Sequence, residues 1–137
     1  RRNVEVEKKI QREKQLHLFK EVGQQWLDER SKSGFWANNE KGEDHHQRWL
    51  NKYIYPVIGD IAVGKITAQD IFEMLKPIYQ KMPTTADKSL TTVSSVWKWA
   101  QARGWADGDN PADKRGPLGV WLEPYKERKK KQNYDNL

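Results

Sequence analysis

Apolar side chains recur at helical intervals in four stretches of this chain, with polar, turn-forming residues between them. Phe19, Val22, Trp26 and Leu27 follow the i, i+3, i+7, i+8 spacing of a helix that buries one face. Trp49, Leu50, Tyr53 and Ile54 predict a second helix, from near Asp44 to about Tyr55. Its other side carries Gln47, Arg48, Asn51 and Lys52. Ile71, Leu75 and Ile78 predict a third, from Ala68 to about Gln80. The fourth pattern is the clearest, since Ala86, Leu90, Val93, Trp97 and Ala100 recur at steps of 4, 3, 4 and 3.

The punctuation between these runs agrees. Gly34 ends the first helical region, and residues 37–43 are polar and turn-rich. Pro56 lacks an N–H and its ring clashes with the preceding turn, so the second helix should stop there, with Gly59 free to take a positive φ. Ile61, Val63 and Ile66 alternate as a strand would, but Gly59 and Gly64 flank them and no partner strand is evident, which favours a packed loop. Thr67 with Asp70, and Thr84 with Asp87, read as N-caps with an acidic partner three residues on. Pro77 predicts a kink or an early stop, and Gly104 suits the C-terminal end of the fourth helix. Residues 4–15 are mostly polar, with Val4, Val6 and Ile10 as apolar positions, and read as a linker helix supported by pairs such as Glu5–Lys9. From Asp107 onward, Gly, Pro, Asn and Asp mark loop and linker. The pattern predicts an all-α bundle of four short helices with poorly ordered ends.

Composition narrows the function classes. A chain of 137 residues, 36% apolar and 32% charged, supports one domain with an economical core, to which seven Trp residues contribute large buried areas. With no cysteine there is no disulfide framework, thiol nucleophile or Cys-based zinc site, which fits a reducing cytosol. No apolar run approaches a membrane span, and the charged N-terminus is unlike a secretion signal. The first residue is Arg1 and not Met, as expected of a fragment of something longer. The net charge of +6 is uneven: residues 17–83 hold nine basic and nine acidic side chains. Residues 1–16 hold six basic against three acidic, and residues 114–131 seven against two. Basic ends around a neutral middle suit contact with a polyanion, although solvated faces or tails would look the same.

The ordered set Tyr55-Pro56-Val57-Ile58-Gly59, then Ile66, Thr67, Asp70 and Ile71, then Trp97, Trp99 and Ala100, then Asn110-Pro111-Ala112, resembles the core-binding domain of tyrosine recombinases. These are the phage integrase family, and the likeness is greatest to integrases of P4-like prophages; it runs from about Phe19 to Leu118. The resemblance implies a small four-helix orthogonal bundle, the SAM-like core-binding domain, with an additional N-terminal linker helix and a flexible basic C-terminal tail. It divides the chain into a linker helix from a missing N-terminal domain (1–16), the DNA-binding domain (17–112) and an inter-domain linker toward a missing catalytic domain (113–137). Arg115, Gly116 and Leu118 stand where P4-like integrases have a short Arg-Gly-x-Leu stretch. In the resembling enzymes this module grips one face of a core attachment half-site for integration or excision. Another domain supplies a tyrosine that forms a 3′-phosphotyrosyl link, without metal or nucleotide cofactor, in a tetramer of recombinases on DNA. The fragment itself is then expected to be a non-enzymatic monomer in the cytoplasm, bacterial or phage-encoded and associated with the nucleoid.

Candidate DNA-contacting residues follow from helix faces. Opposite the apolar stripe of the fourth helix lie Thr84, Lys88, Thr91, Thr92 and Ser95, with Lys98 at the margin. Short hydroxyl side chains let a phosphate backbone approach and can hydrogen-bond it, while lysines neutralise its charge. These hydroxyl residues also lower helix propensity, so an idle solvated face would more naturally carry Glu, Lys or Gln. Arg48, Asn51 and Lys52 on the second helix are the second group, since Arg and Asn suit guanine and adenine edges. The resemblance assigns the clamp to helices two and four. Lys129, Lys130 and Lys131 belong to a basic strap suited to phosphates. Trp97 reads as core; Trp99 points away from the stripe and could pack on a neighbouring helix, on a missing domain or on DNA.

Other constellations carry less. His45 and Arg48 match the letters of the recombinases' His-x-x-Arg motif but lie upstream of the Asn-Pro-Ala boundary, whereas the family's catalytic pair lies in the following domain. Adjacent His45 and His46 point apart on a helix and His17 is isolated, so no metal site is expected. Tyr53 and Tyr55 read as buried, and Tyr125 and Tyr134 lack converging Arg, Lys and His, so no catalytic residue is assigned. The alternative function is a helical protein–protein interaction module. A helix-turn-helix regulator is disfavoured, because no two short helices are joined by a tight turn.

Overall fold

The computed structural model describes residues 3–9, 17–35 and 40–135, with side chains up to Lys126. The body is built from α1 (Phe19–Lys32), α2 (Glu40–Trp49, continuing through Leu50–Ile54 and Tyr55–Ile58), α3 (Ala68–Lys81), α4 (Pro83–Ala102) and α5 (Pro117–Asp135). Residues 3–9 are also helical, while the rest of the expected linker helix, 10–16, lies outside the described residues. So do residues 36–39, which include the start of the expected turn-rich stretch 37–43; residues 40–43 already belong to α2. The described residues are all-helical apart from an isolated bridge between Leu18 and Ala62.

The apolar repeats become buried stripes, except that Trp49 and Tyr53 of α2 are only half-buried. Phe19, Val22, Trp26 and Leu27 of α1 meet Leu50, Ile54 and Ile58 of α2, Ile71, Leu75 and Ile78 of α3, and the whole α4 series in one core. Met74 and Tyr79 widen the buried face of α3. The link from Ile61 to Ile66 is indeed packed: Phe19 N–H donates to the Ile61 carbonyl at 2.9 Å and Val63 N–H to that of His17 at 2.9 Å.

Helix ends follow local chemistry, with corrections at Thr84, Pro77, Pro56 and Gly59. Thr67 and Asp70 form a reciprocal capping box at α3. Gly104 closes α4 at φ +81°, with Gly104 N–H donating to the Gln101 carbonyl and Trp105 N–H to that of Ala100, a Schellman arrangement. Thr84, however, does not cap α4; Pro83 occupies the first turn and Met82 precedes it, with no side-chain cap bond. Asp87, the expected partner, accepts a hydrogen bond from the Tyr79 hydroxyl. Pro77 does not stop α3 early, since the helix runs on to Lys81; it lies on the exposed side, where water can satisfy the orphaned carbonyl of the preceding turn.

Pro56 likewise does not end α2. Ahead of it the helix widens into a π-type turn, Leu50–Ile54, in which Tyr55 N–H reaches back five residues to the Leu50 carbonyl. The extra room accommodates the proline ring, and Pro56 sits in the first turn of the continuing segment, where its missing N–H costs least. Gly59 ends this segment at φ −59°, not at a positive φ. A side chain there would instead collide with the Tyr55 carbonyl, so glycine serves close approach and not handedness.

The C-terminal part departs most from expectation. The segment read as linker and flexible tail forms α5, and its side chains Leu118 and Leu122 are fully buried. Tyr125 packs on Phe72 and Tyr79 of α3, with ring centroids 6.2 and 6.0 Å apart. Gly119 allows this docking, because any Cβ there would strike the Lys114 carbonyl.

If α5 is part of the cooperative unit, Leu122→Ala should destabilise the fold by about 2–5 kcal/mol in urea denaturation. Val120→Ala, at a side chain 63% exposed, should change stability by no more than about 0.5 kcal/mol. Equal small effects would mean that α5 is only loosely attached.

Candidate nucleic-acid interface

At 100° per residue, Thr84, Lys88, Thr91, Ser95 and Lys98 fall on one strip of α4, within about 40° of its midline. Thr84, Lys88, Thr91 and Lys98 are exposed and Ser95 is half-buried. Thr92 lies about 80° round the helix and is fully buried, so it leaves the group of candidate contacts. Its hydroxyl donates to the Lys88 carbonyl at 2.9 Å and lies 3.0 Å from His46 Nδ1 of α2. Since that hydroxyl proton is already committed, Nδ1 is the donor, which fixes the imidazole tautomer. Helical phase alone sets Thr92 apart from Thr91, but the partner that buries it lies 46 positions away and is not visible in the sequence.

Two grooves flank the strip. On one side His46 and Trp49 of α2 meet Asp87, Lys88 and Thr91. Lys88 Nζ lies 5.6 Å from the Trp49 ring centroid, within cation–π range. Arg48, Asn51 and Lys52 are exposed on the adjoining turns of α2, and the Asn51 Oδ1 accepts a hydrogen bond from Gln47 at 3.1 Å. On the other side Thr91, Ser95 and Lys98 face Asp113, Lys114 and Arg115. Lys114 and Arg115 were not among the sequence candidates; the available signal was Asn110-Pro111-Ala112, whose asparagine draws the following basic pair against α4. Lys129, Lys130 and Lys131 follow on α5, but their side chains lie outside the described residues.

The electrostatics of these groups have simple causes. Arg115 holds the Asp113 carboxyl down to about 2, through its side chain first and its backbone N–H second. Desolvation lowers the pKa of His46, and the positive charges of Arg30 and His45 add to the effect. His46 packs edge-on against Trp26 and Trp49, at 5.5 and 5.0 Å between centroids, so it serves packing between helices. Among the described residues no three His, Cys, Asp or Glu side chains gather as a metal site would require. Trp97 is buried as expected. Trp99 meets Trp105 edge-on at 5.8 Å, with the Arg103 guanidinium 4.1 Å above its ring and Glu29 of α1 paired to Arg103 at 2.7 Å. These contacts join α4 to the neighbouring helix and loop.

The family model for the phage integrase central domain matches residues 19–117, most of the chain. The chain belongs to this family. The integrase central domain is thus a recombinase-related module, and its helical core is what the family match covers. It is similar to a protein from Nitrosospira multiformis solved in solution by NMR, at 33% identity and a TM-score of 0.65. That likeness covers 74% of this chain and 92% of the other. No curated protein matches. No helix among the described residues is long and apolar enough to cross a membrane.

Thr92→Val should cost the domain about 1–3 kcal/mol in urea denaturation, because it leaves the His46 Nδ1–H without its acceptor, whereas Thr91→Val should be nearly neutral. Stability should also depend on His46 protonation. Folding lowers its pKa, so the unfolded chain binds the proton first as pH falls. The contribution is complete above the unfolded value of about 6.5 and is lost as pH drops through the folded value. His46→Gln should flatten the decline in urea midpoint between about pH 7.5 and 5.5; an unchanged decline would assign it to other groups.

Proposed function

We propose that this chain is the DNA-binding module of a site-specific tyrosine recombinase, and that it grips a core attachment half-site with α2 and α4. The observation that carries the reading is the strip of α4 formed by exposed Lys88, Thr91 and Lys98 with half-buried Ser95, which faces Lys114 and Arg115 across one of its grooves. Short hydroxyls between lysines form a surface that a phosphate backbone can approach closely while its charge is neutralised. A single helix of this diameter fits the major groove, with Arg48, Asn51 and Lys52 of α2 available for the neighbouring backbone or base edges. The family membership supplies the recombinase context.

In this reading the cleaving tyrosine belongs to another domain of the parent enzyme. The described phenols support that division of labour. Burial raises the pKa of Tyr55 well above the usual range, and burial together with the hydrogen bond to Asp87 does the same for Tyr79, the reverse of what a phosphate-attacking oxygen needs. Tyr53 and Tyr125 are half-buried against the core. Work on chromosomal or phage DNA places the protein in the bacterial cytoplasm. In the parent enzyme, further protomers on paired DNA sites complete the reaction.

Fluorescence anisotropy at two salt concentrations, with a duplex carrying the core half-site and a scrambled one, tests the reading. Binding to both should be salt-sensitive, with a log–log slope of roughly −4 to −5, and tighter on the half-site. Lys88→Ala and Lys98→Ala should each flatten that slope by about 0.9. A folded protein that binds neither duplex at low salt would sink the proposal. It would favour a protein-interaction module, for which Val120 and Trp121 on α5 offer an exposed apolar surface.

A further inference from the structure

The groove between α4 and residues 113–115 contains a feature that ordinary DNA contact does not call for. Its far wall is a rigid turn. Asn110 Nδ2 donates to Ser94 Oγ of α4 at 2.9 Å, while Asn110 Oδ1 accepts from Ala112 N–H at 2.9 Å. Pro111 restricts the backbone between them, and Ala112 is buried against the core. Asp113 N–H then donates to the Asn110 carbonyl, and Gly116 N–H to the Asp113 carbonyl, each at 3.1 Å. This clamp carries Lys114 and Arg115 to the rim opposite Thr91, Ser95 and Lys98.

Within the groove, the Asp113 carboxylate is held as a bound anion would be. Its Oδ2 accepts from Arg115 Nη2 at 2.9 Å and from Nε at 3.2 Å. Its Oδ1 accepts from Nε at 3.1 Å and from Arg115 N–H at 2.9 Å. The Arg115 side chain is nevertheless 90% exposed, against 30% for Asp113. Solvent screens an ion pair this open, so its net energy falls short of what its several contacts suggest and another anion can exchange into it. A phosphodiester offers the same guanidinium edge two anionic oxygens in a plane, which arginine recognises as well as it does a carboxylate. Three cations, Lys98, Lys114 and Arg115, surround this one carboxylate, so the groove keeps a surplus of positive charge after the internal pair is counted.

We propose that this groove seats one backbone phosphodiester of bound DNA, and that Asp113 is an internal competitor which the phosphate displaces from Arg115. The proposal rests on the DNA-binding reading and deepens it by naming a contact and its regulation. Asp113 sets a threshold on non-specific binding: the fork is released only to an anion that Lys98 and Lys114 also hold. Backbone contacts at this point fix register and add affinity without reading sequence.

A double-mutant cycle on the full chain tests it, read as duplex affinity and salt slope. Asp113→Asn should tighten duplex binding about three- to tenfold and steepen the log–log slope by up to about 0.9. Arg115→Ala should weaken binding and flatten the slope by a similar amount, and in that background Asp113→Asn should lose most of its gain. If Asp113→Asn gives the same gain with and without Arg115, the carboxylate acts only as a distant charge and the competitor is excluded. A duplex series with one neutral methylphosphonate per position provides a second readout. One position should cost the wild-type protein affinity and cost Arg115→Ala nothing; no such position would overturn the seat even if a variant folds poorly. Titration with inorganic phosphate, followed by amide shifts of Lys114 and Arg115, separates the two sources of the anion. Saturation by free phosphate at concentrations comparable to duplex would overturn the assignment to DNA. Salt-sensitive duplex binding with an additive cycle removes only the seat, whereas no duplex binding removes the DNA reading and the seat together.

Discussion

In a domain of this size, the packing around α4 decides almost everything else. The helix is 20 residues long, and α1, α2, α3 and α5 all pack against it. Ala86, Leu90, Val93, Trp97 and Ala100 form one buried stripe, and Ser89, Thr92 and Val96 form a second. With both stripes covered, the strip from Thr84 to Lys98 is the main face of α4 left for solvent or a ligand. The interface is therefore what remains of α4 after its neighbours have been placed, and its width is set by how closely α2 and the 110–116 turn approach.

Those two approaches are made by polar groups, which gives them direction as well as strength. His46 and Thr92 tie α2 to α4 in a part-buried environment, where a missing partner would be costly. Asn110 and Ser94 do the same for the turn on the opposite side. The exposed pairs Lys20–Asp60 and Arg103–Glu29 lie at the periphery, where solvent screens them. Burial of aromatic and aliphatic side chains supplies the stability, while a few side-chain hydrogen bonds set the angles between helices.

The four helical stretches were legible because each buries a stripe that repeats every three or four residues, and the sequence shows that repeat directly. The capping box at Thr67 and the glycine after α4 were legible because capping is local chemistry. What escaped the sequence depends on distant partners. Pro117, Gly119, Pro124 and the lysine run all read as linker, yet α5 is held by Leu118 and Leu122 entering a core built by other helices. Thr92 read as surface because its partner, His46, read as an ordinary helix residue. At the candidate site, Lys88, Thr91, Ser95 and Lys98 were legible from helical phase alone, whereas Lys114 and Arg115 were not, since only the folded turn brings them to α4.

The π-type turn in α2 also governs which sequence repeat the helix can use. His46, Leu50, Ile54 and Ile58 are spaced every four residues, and all face inward. On a regular helix of 3.6 residues per turn, three such steps would drift about 120° around the axis and carry the last side chain off the core. Local underwinding at Leu50–Ile54 cancels much of that drift. The turn is thus a phase corrector: losing one residue within it would rotate everything beyond, from Tyr55 to Gly59, by about 100° relative to the half that carries His46.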